Sequence, residues 1–284
     1  MRLLNIPGGG VFGYMTAYMF KELDITPSKE FQAFSGTSVG SQLAAAYASG
    51  KSGPEVFDYF ERAAPEIFHR SFFRKVNPYV RPYGSKYDDE ALNRNLKGML
   101  PGKFGAVGFP LIIPAANLAR RSPKIFDNMD DTSDLDWPLW EVVRASSAAP
   151  TYFSPWQGYI DGGLIANDPV VVAVTALQYK AGIEYDMMEV FTAGTGSRVY
   201  NEKDTIWNPM QWVSPILETT LEGGNEMLFH TIADNMPLKR YSYWNKIELP
   251  ASWEMDDVSL IPEMRKTAIS YLPDFAQAYE RFMS

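Results

Sequence analysis

Apolar positions along the chain switch between two rhythms. Leu3 to Ile6 is a short apolar run that reads as a strand, and Val11, Met15, Tyr18, Met19 and Leu23 then recur at helical spacing. The pattern repeats at once: Phe31 to Phe34 reads as a second strand, and Leu43, Ala44 and Tyr47 carry a helix that stops near Gly50. Glycines stand at each switch, Gly8-Gly9-Gly10 first and Gly36-Thr37-Ser38-Val39-Gly40 second. Strand, glycine turn and helix, twice over, is the rhythm of a parallel α/β sheet.

Farther along, 54–68, 88–100 and 139–147 read as helices, and Phe109 to Ala116 as a strand despite Pro110 and Pro114. Tyr159-Ile160 leads into Asp161-Gly162-Gly163. Asp168 and Pro169 then open a helix that Gly182 closes, apolar nearly all round and therefore expected to be buried. Met187 to Ala193 is a further strand and ends in Gly194-Thr195-Gly196. After Asn201 the chain turns polar and aromatic, which suggests helices and loops packed on one edge. No repeat or linker divides the sequence. Residues 1–284 read as a single domain, with a motif-bearing core over about 1–200 and a helical and loop portion over about 201–284.

Composition narrows the function classes. At 46% apolar and 21% charged residues the chain has the make-up of a globular domain, and no run of about 18 apolar residues occurs. The first residues lack the apolar stretch of a secretory leader, and cysteine is absent, which removes disulfides and a thiol nucleophile. The expected setting is the cytoplasm. A net charge of −8 argues against nucleic acid as a partner. One segment opposes that average: 69–87 carries Arg70, Arg74, Lys75, Arg81 and Lys86 without an acid, among five aromatic residues. Cations interleaved with rings suit a lipid–water interface, so 70–87 is an expected site of peripheral membrane contact. The plainer reading is a partly buried loop whose long side chains lie over apolar surface.

Ser38 stands between two glycines on a strand-to-helix turn, where a sharp bend can expose its hydroxyl as a nucleophile. Gly8, Gly9 and Gly10, at another helix start, bare backbone N–H groups of the kind an oxyanion needs. A serine hydroxyl also needs a base. The chain has only His69 and His230, and neither lies beside a glycine turn, so both read as structural or surface residues. Asp161 follows a strand and precedes two glycines, which makes it the best-placed carboxylate; by itself it reads better as an ordinary turn aspartate. Gly8-x-Gly10-x-x-Gly13 also fits a dinucleotide-binding fingerprint, but that reading wants an acid at the end of the second strand, and Glu30 precedes the strand instead.

Taken together, the motifs resemble the patatin-like phospholipases. That family joins a glycine-rich oxyanion segment, a Gly-x-Ser-x-Gly elbow and a later Asp-Gly-Gly, here Gly8–Gly13, Gly36–Gly40 and Asp161–Gly163. Ala145-Ser146-Ser147-Ala148-Ala149-Pro150-Thr151-Tyr152-Phe153, Asn167-Asp168-Pro169, Gly194-Thr195-Gly196 and Met255-Asp256-Asp257 match in the same order along nearly the whole chain. The resemblance implies a three-layer α/β fold with a central, largely parallel sheet flanked by helices. It implies hydrolysis of fatty-acyl esters in phospholipids or related lipids, with Ser38 as nucleophile and Asp161 as proton acceptor. The amides of Gly8, Gly9 and Gly10 would form the oxyanion hole, and no cofactor or metal is implied. Two positions depart from the pattern: Phe12 stands where a cation is common, and Pro7 where an acid or small polar residue is. A catalytically silent lipid-binding or regulatory module on the same fold is the alternative these departures leave open.

Overall fold

A computed structural model describes residues 1–69, 85–130, 132–198, 216, 219–220 and 226–284, with the backbone alone for 226–229. The first half runs β1 (Arg2–Ile6), α1 (Gly13–Glu22), β2 (Ala33–Gly36), α2 (Val39–Ala48), α3 (Gly53–Ile67) and α4 (Asp89–Met99). Next come β3 (Leu111–Asn117), β4 (Ser122–Asp127), α5 (Leu139–Ser146), β5 (Tyr159–Ile160), α6 (Gly163–Ala166) and α7 (Val170–Ala181). The last third holds β6 (Glu189–Ala193), β7 (Ser197–Arg198), α8 (Glu226–Asp234), β8 (Arg240–Trp244), β9 (Glu248–Leu249) and α9 (Ile261–Met283).

The main sheet has the order β4-β3-β2-β1-β6-β8, with β5 also against β3. Pairings from β3 through β8 are parallel, while β4 and β5 run antiparallel to β3. Strands covered on both faces are apolar at successive positions, and here neighbours point to opposite sides. Leu3, Ala33, Ile112 and Val190 join one buried cluster with Val170, Val174 and Leu177 of α7. Leu4, Phe34, Ile113 and Phe191 join the other, with α1, α2, α3 and α9. The result is a mixed, mostly parallel sheet between two helical layers.

Local chemistry explains several boundaries. Ser52 and Glu55 form a reciprocal capping box at the start of α3. Gly182 ends α7 in the left-handed region, at φ 67°. Pro114 lies in β3 beyond the last residue paired with β2, so its missing N–H costs that ladder nothing.

Four expectations change. The portion after residue 201, expected as helices and loops, also supplies β8 to the main sheet beside β6 and β9 beside β7, because β6 and β7 offer them parallel partners. The second strand is displaced toward the glycines, to Ala33–Gly36. The antiparallel strand β4 was not anticipated, because Ser122, Pro123 and Lys124 carry no strand pattern. Helix α7 is buried on one side only: Val171, Val172 and Thr175 are half-exposed, since α7 covers one sheet face and α8 covers α7 only in part. Of the basic-aromatic segment, residues 70–84 lie outside the described residues. Its last two residues face inward, with Tyr87 2% exposed and Lys86 paired to the buried Asp256. No helix among the described residues is long and apolar enough to cross a membrane.

Candidate active site

β1 and β2 run parallel with Ile6 opposite Gly36, so both glycine segments leave the sheet at the same end, the carboxyl end of the strands. The turn after β2 is tight. A Cβ at Gly40 would run into the carbonyls of Ile6 and Pro7, and one at Gly36 into the Gly40 carbonyl. Between them Ser38 sits at φ 52°, ψ −123°, a strained conformation for a residue with a side chain. Its peptide groups are gripped from outside the turn. The Ser38 amide donates to Ser146 Oγ (3.1 Å), and its carbonyl accepts from Ser41 Oγ (2.6 Å) and Ser147 Oγ (3.2 Å).

The same stretch of chain carries Asp161. The Asp161 amide donates to Ala148 O (3.1 Å) and the Gly162 amide to Ser146 O (3.2 Å). Asp161 is 1% exposed; Oδ1 accepts the Gly163 amide at 2.7 Å, and Oδ2 accepts the Ser38 hydroxyl at 2.8 Å. Burial pushes its carboxyl up to about 6, while the Gly163 amide, the Ser38 hydroxyl and the Arg144 cation pull the other way. At neutral pH a carboxyl raised to about 6 is still mostly ionised.

Arg144 is wholly buried. It donates to Asn93 Oδ1, Asp89 Oδ1 and Ser154 O at 2.9, 2.6 and 3.0 Å, and lies against the rings of Phe153 and Trp156. The sequence singled out neither Arg144 nor the two serine hydroxyls as functional; the only signal was the stretch Ala145–Phe153.

The glycine loop needs one correction. Gly8 is buried and its amide donates to Asn167 O at 3.0 Å, so it does not face a ligand. Its carbonyl accepts Thr195 Oγ1 at 2.8 Å. Gly9 and Gly10 are partly exposed, and neither amide bonds a protein acceptor among the described residues. They line, with Ser38 and Asp161, a cleft of about 800 Å³ counting its open mouth. Away from these four residues its lining is chiefly apolar, with Phe60, Ala63, Ala64 and Ile67 of α3 and also Tyr152 and Phe153. His230 is engaged elsewhere, bonded to Tyr241 and stacked on Tyr243. Glu30, the acid that a dinucleotide site would want, accepts the hydroxyl of Tyr279.

Comparison with known proteins places the chain in a family. A sequence profile described as patatin-like phospholipase matches residues 4–174. A cGAMP-activated phospholipase of Vibrio cholerae is 30% identical over 201 residues, covering 61% of this chain and 57% of that protein. A cGAMP-activated phospholipase of Escherichia coli is 27% identical, over 75% of this chain and 67% of its own length. The rat 85/88 kDa calcium-independent phospholipase A2 is 29% identical over 69% of this chain, but only a quarter of its own length takes part. In three dimensions VipD from Legionella pneumophila superimposes with a TM-score of 0.51 at 14% identity, covering 99% of this chain and 66% of that one. That likeness speaks for the fold. The profile, spanning more than half the chain and taking in the glycine loop, the serine elbow and Asp161, speaks for descent: the protein belongs to the patatin-like phospholipase family.

Proposed function

We propose that the protein is a lipid acyl hydrolase that cleaves fatty-acyl esters of phospholipids or related lipids through a Ser38–Asp161 dyad. The observation that carries this reading is the 2.8 Å hydrogen bond from the Ser38 hydroxyl to a buried carboxylate in a cleft with apolar walls. The acyl chain lies along α3, and the ester carbonyl reaches Ser38. Asp161 takes the hydroxyl proton as Oγ attacks the carbonyl carbon, and the negative charge moves onto the carbonyl oxygen. The amides of Gly9 and Gly10 face that oxygen; one such donor is worth about 2.7–4 kcal/mol in the transition state. When the tetrahedral species collapses, the carbon–oxygen bond to the alcohol breaks and Asp161 returns the proton to the leaving oxygen. Water then repeats the cycle on the acyl-enzyme, with Asp161 again as base, and the fatty acid leaves.

Fatty-acid release from mixed phospholipid vesicles tests the proposal. Ser38→Ala and Asp161→Asn should each lower the rate about 10⁴-fold or more, because the two residues act as one unit. Equal activity in all three proteins would place the chemistry elsewhere. Silence in all three, with vesicles still bound, would favour a lipid-binding module.

A further inference from the structure

The glycine loop is held by a segment of chain far from it in sequence. Val11 donates its amide to Met255 O at 2.7 Å. Gly10 has φ 56°, and a Cβ there would collide with the backbone and side chain of Met255. Met255 is itself among the residues that line the cleft, with Gly9, Gly10 and Ser38. One residue pair away, Phe12 is 2% exposed and stacks on Trp253 with ring centroids 6.3 Å apart. Arg198 closes this contact: its guanidinium lies over the Phe12 ring at 5.6 Å and donates to the Trp253 carbonyl. Phe12, which departs from the family pattern, is therefore a further contact between the loop and the segment Trp253–Asp256, a strap across it.

The strap is also anchored to residues beside Tyr152 and Phe153 of the cleft lining. Asp256 is 5% exposed and accepts the Tyr87 hydroxyl and the Lys86 ammonium. Lys86 and Tyr87 donate their amides to Thr151 O and Tyr152 O at 2.8 and 3.0 Å, and the Tyr87 ring stacks on Tyr152. Tyr152 and Phe153 line the cleft together with residues of α3. The strap thus ties the loop that carries the Gly9 and Gly10 amides to the wall that confines the acyl chain.

We infer that Trp253–Asp256 is a positioning strap for the ester-cleaving site, with Asp256 as its anchor and Met255 O as the group that sets the orientation of the Gly10–Val11 peptide. The inference rests on the hydrolase reading above and adds a determinant that touches neither Ser38 nor Asp161. Losing the anchor lets Met255 O drift from the Val11 amide, and the amides facing the oxyanion lose their alignment. Ground-state binding, which depends on the apolar walls, changes far less.

The test uses a soluble p-nitrophenyl ester and a fluorophosphonate, whose phosphoryl oxygen would occupy the same amide pocket when Ser38 is labelled. Asp256→Ala should lower kcat about tenfold or more, with KM within about threefold, and slow the labelling of Ser38 in proportion. Tyr87→Phe removes one hydroxyl and keeps the ring, so it tests the same anchor in a chain that should fold normally; it should lose kcat severalfold in the same pattern. Asp256→Asn keeps the acceptor for Tyr87 and should recover part of the loss. Wild-type kcat and labelling rates in Tyr87→Phe and Asp256→Asn, with lowered thermal stability alone, would overturn the strap while leaving the hydrolase intact. A wild type that neither cleaves the ester nor takes the label would bring down the hydrolase reading, and the strap with it.

Discussion

Ser38 and Asp161 are each held at a cost to stability. The positive φ of Ser38 is worth about 1–3 kcal/mol of strain, held in place by hydroxyls of Ser41, Ser146 and Ser147. Asp161 is a buried acid raised from its ordinary value to about 6. A carboxyl raised in the folded state binds protons more tightly there than in the unfolded chain. Its contribution to stability is full below the ordinary carboxylate range and is lost as pH climbs to about 6 and beyond. The loss is up to about 3 kcal/mol, from a shift of about two units. Asp161→Asn, which still offers an acceptor to Gly163, should therefore be more stable than wild type at pH 8, and the gap should close by pH 4. Denaturant titrations at the two pH values check this; a gap independent of pH would mean that Asp161 titrates normally. Neither the strain nor the raised carboxyl can be read from sequence, because both depend on what surrounds the residue. What sequence did reveal was residue type and order: serine between glycines, and aspartate before glycines.

Helix α3 supplies the wall along which an acyl chain would lie. Its pattern is strongly one-sided: Val56, Phe57, Phe60, Ala63, Ala64 and Ile67 are buried, while Glu55, Asp58, Glu61 and Arg62 face outward. The alanines matter most, because small side chains leave the space that the cleft uses. Ala64→Phe should fill part of it and shift preference toward shorter acyl esters, measured as the ratio of kcat/KM for p-nitrophenyl butyrate and laurate. An unchanged ratio would place the acyl chain elsewhere. Such elements were legible where periodicity was strong, as in α1, α3 and α4. They were least legible where tertiary contacts decide: β4 forms because β3 offers it an edge, not because Ser122-Pro123-Lys124 favours a strand. The glycine loop shows the same limit. Three consecutive glycines announce an amide-rich turn, but only the contact with Asn167 removes Gly8 from the set that can face a ligand.

Across the whole molecule, charge and connectivity set the remaining behaviour. A chain of net charge −8 should avoid anionic bilayers unless its cations are gathered, and Arg70, Arg74, Lys75 and Arg81 are gathered in one segment of sequence. Replacing these four with Glu should abolish sedimentation with phosphatidylserine vesicles and spare hydrolysis of soluble esters. Vesicle binding that survives the change would remove the segment from the membrane contact. Lys86 is left out of that set because it anchors Asp256. Connectivity has a different consequence. β1 lies mid-sheet between β2 and β6, Arg2 reaches Glu189 and the carbonyl of Met283, and Val11 waits for Met255. β1 is thus completed by partners far along the chain, and such non-local pairing forms slowly. Val11 and Met255 are more than 200 residues apart in sequence, so the Val11–Met255 hydrogen bond needs both ends of this stretch in place. On the reading proposed above, a chain that stops short of Met255 would carry Ser38 and Asp161 without the contact that holds the glycine loop.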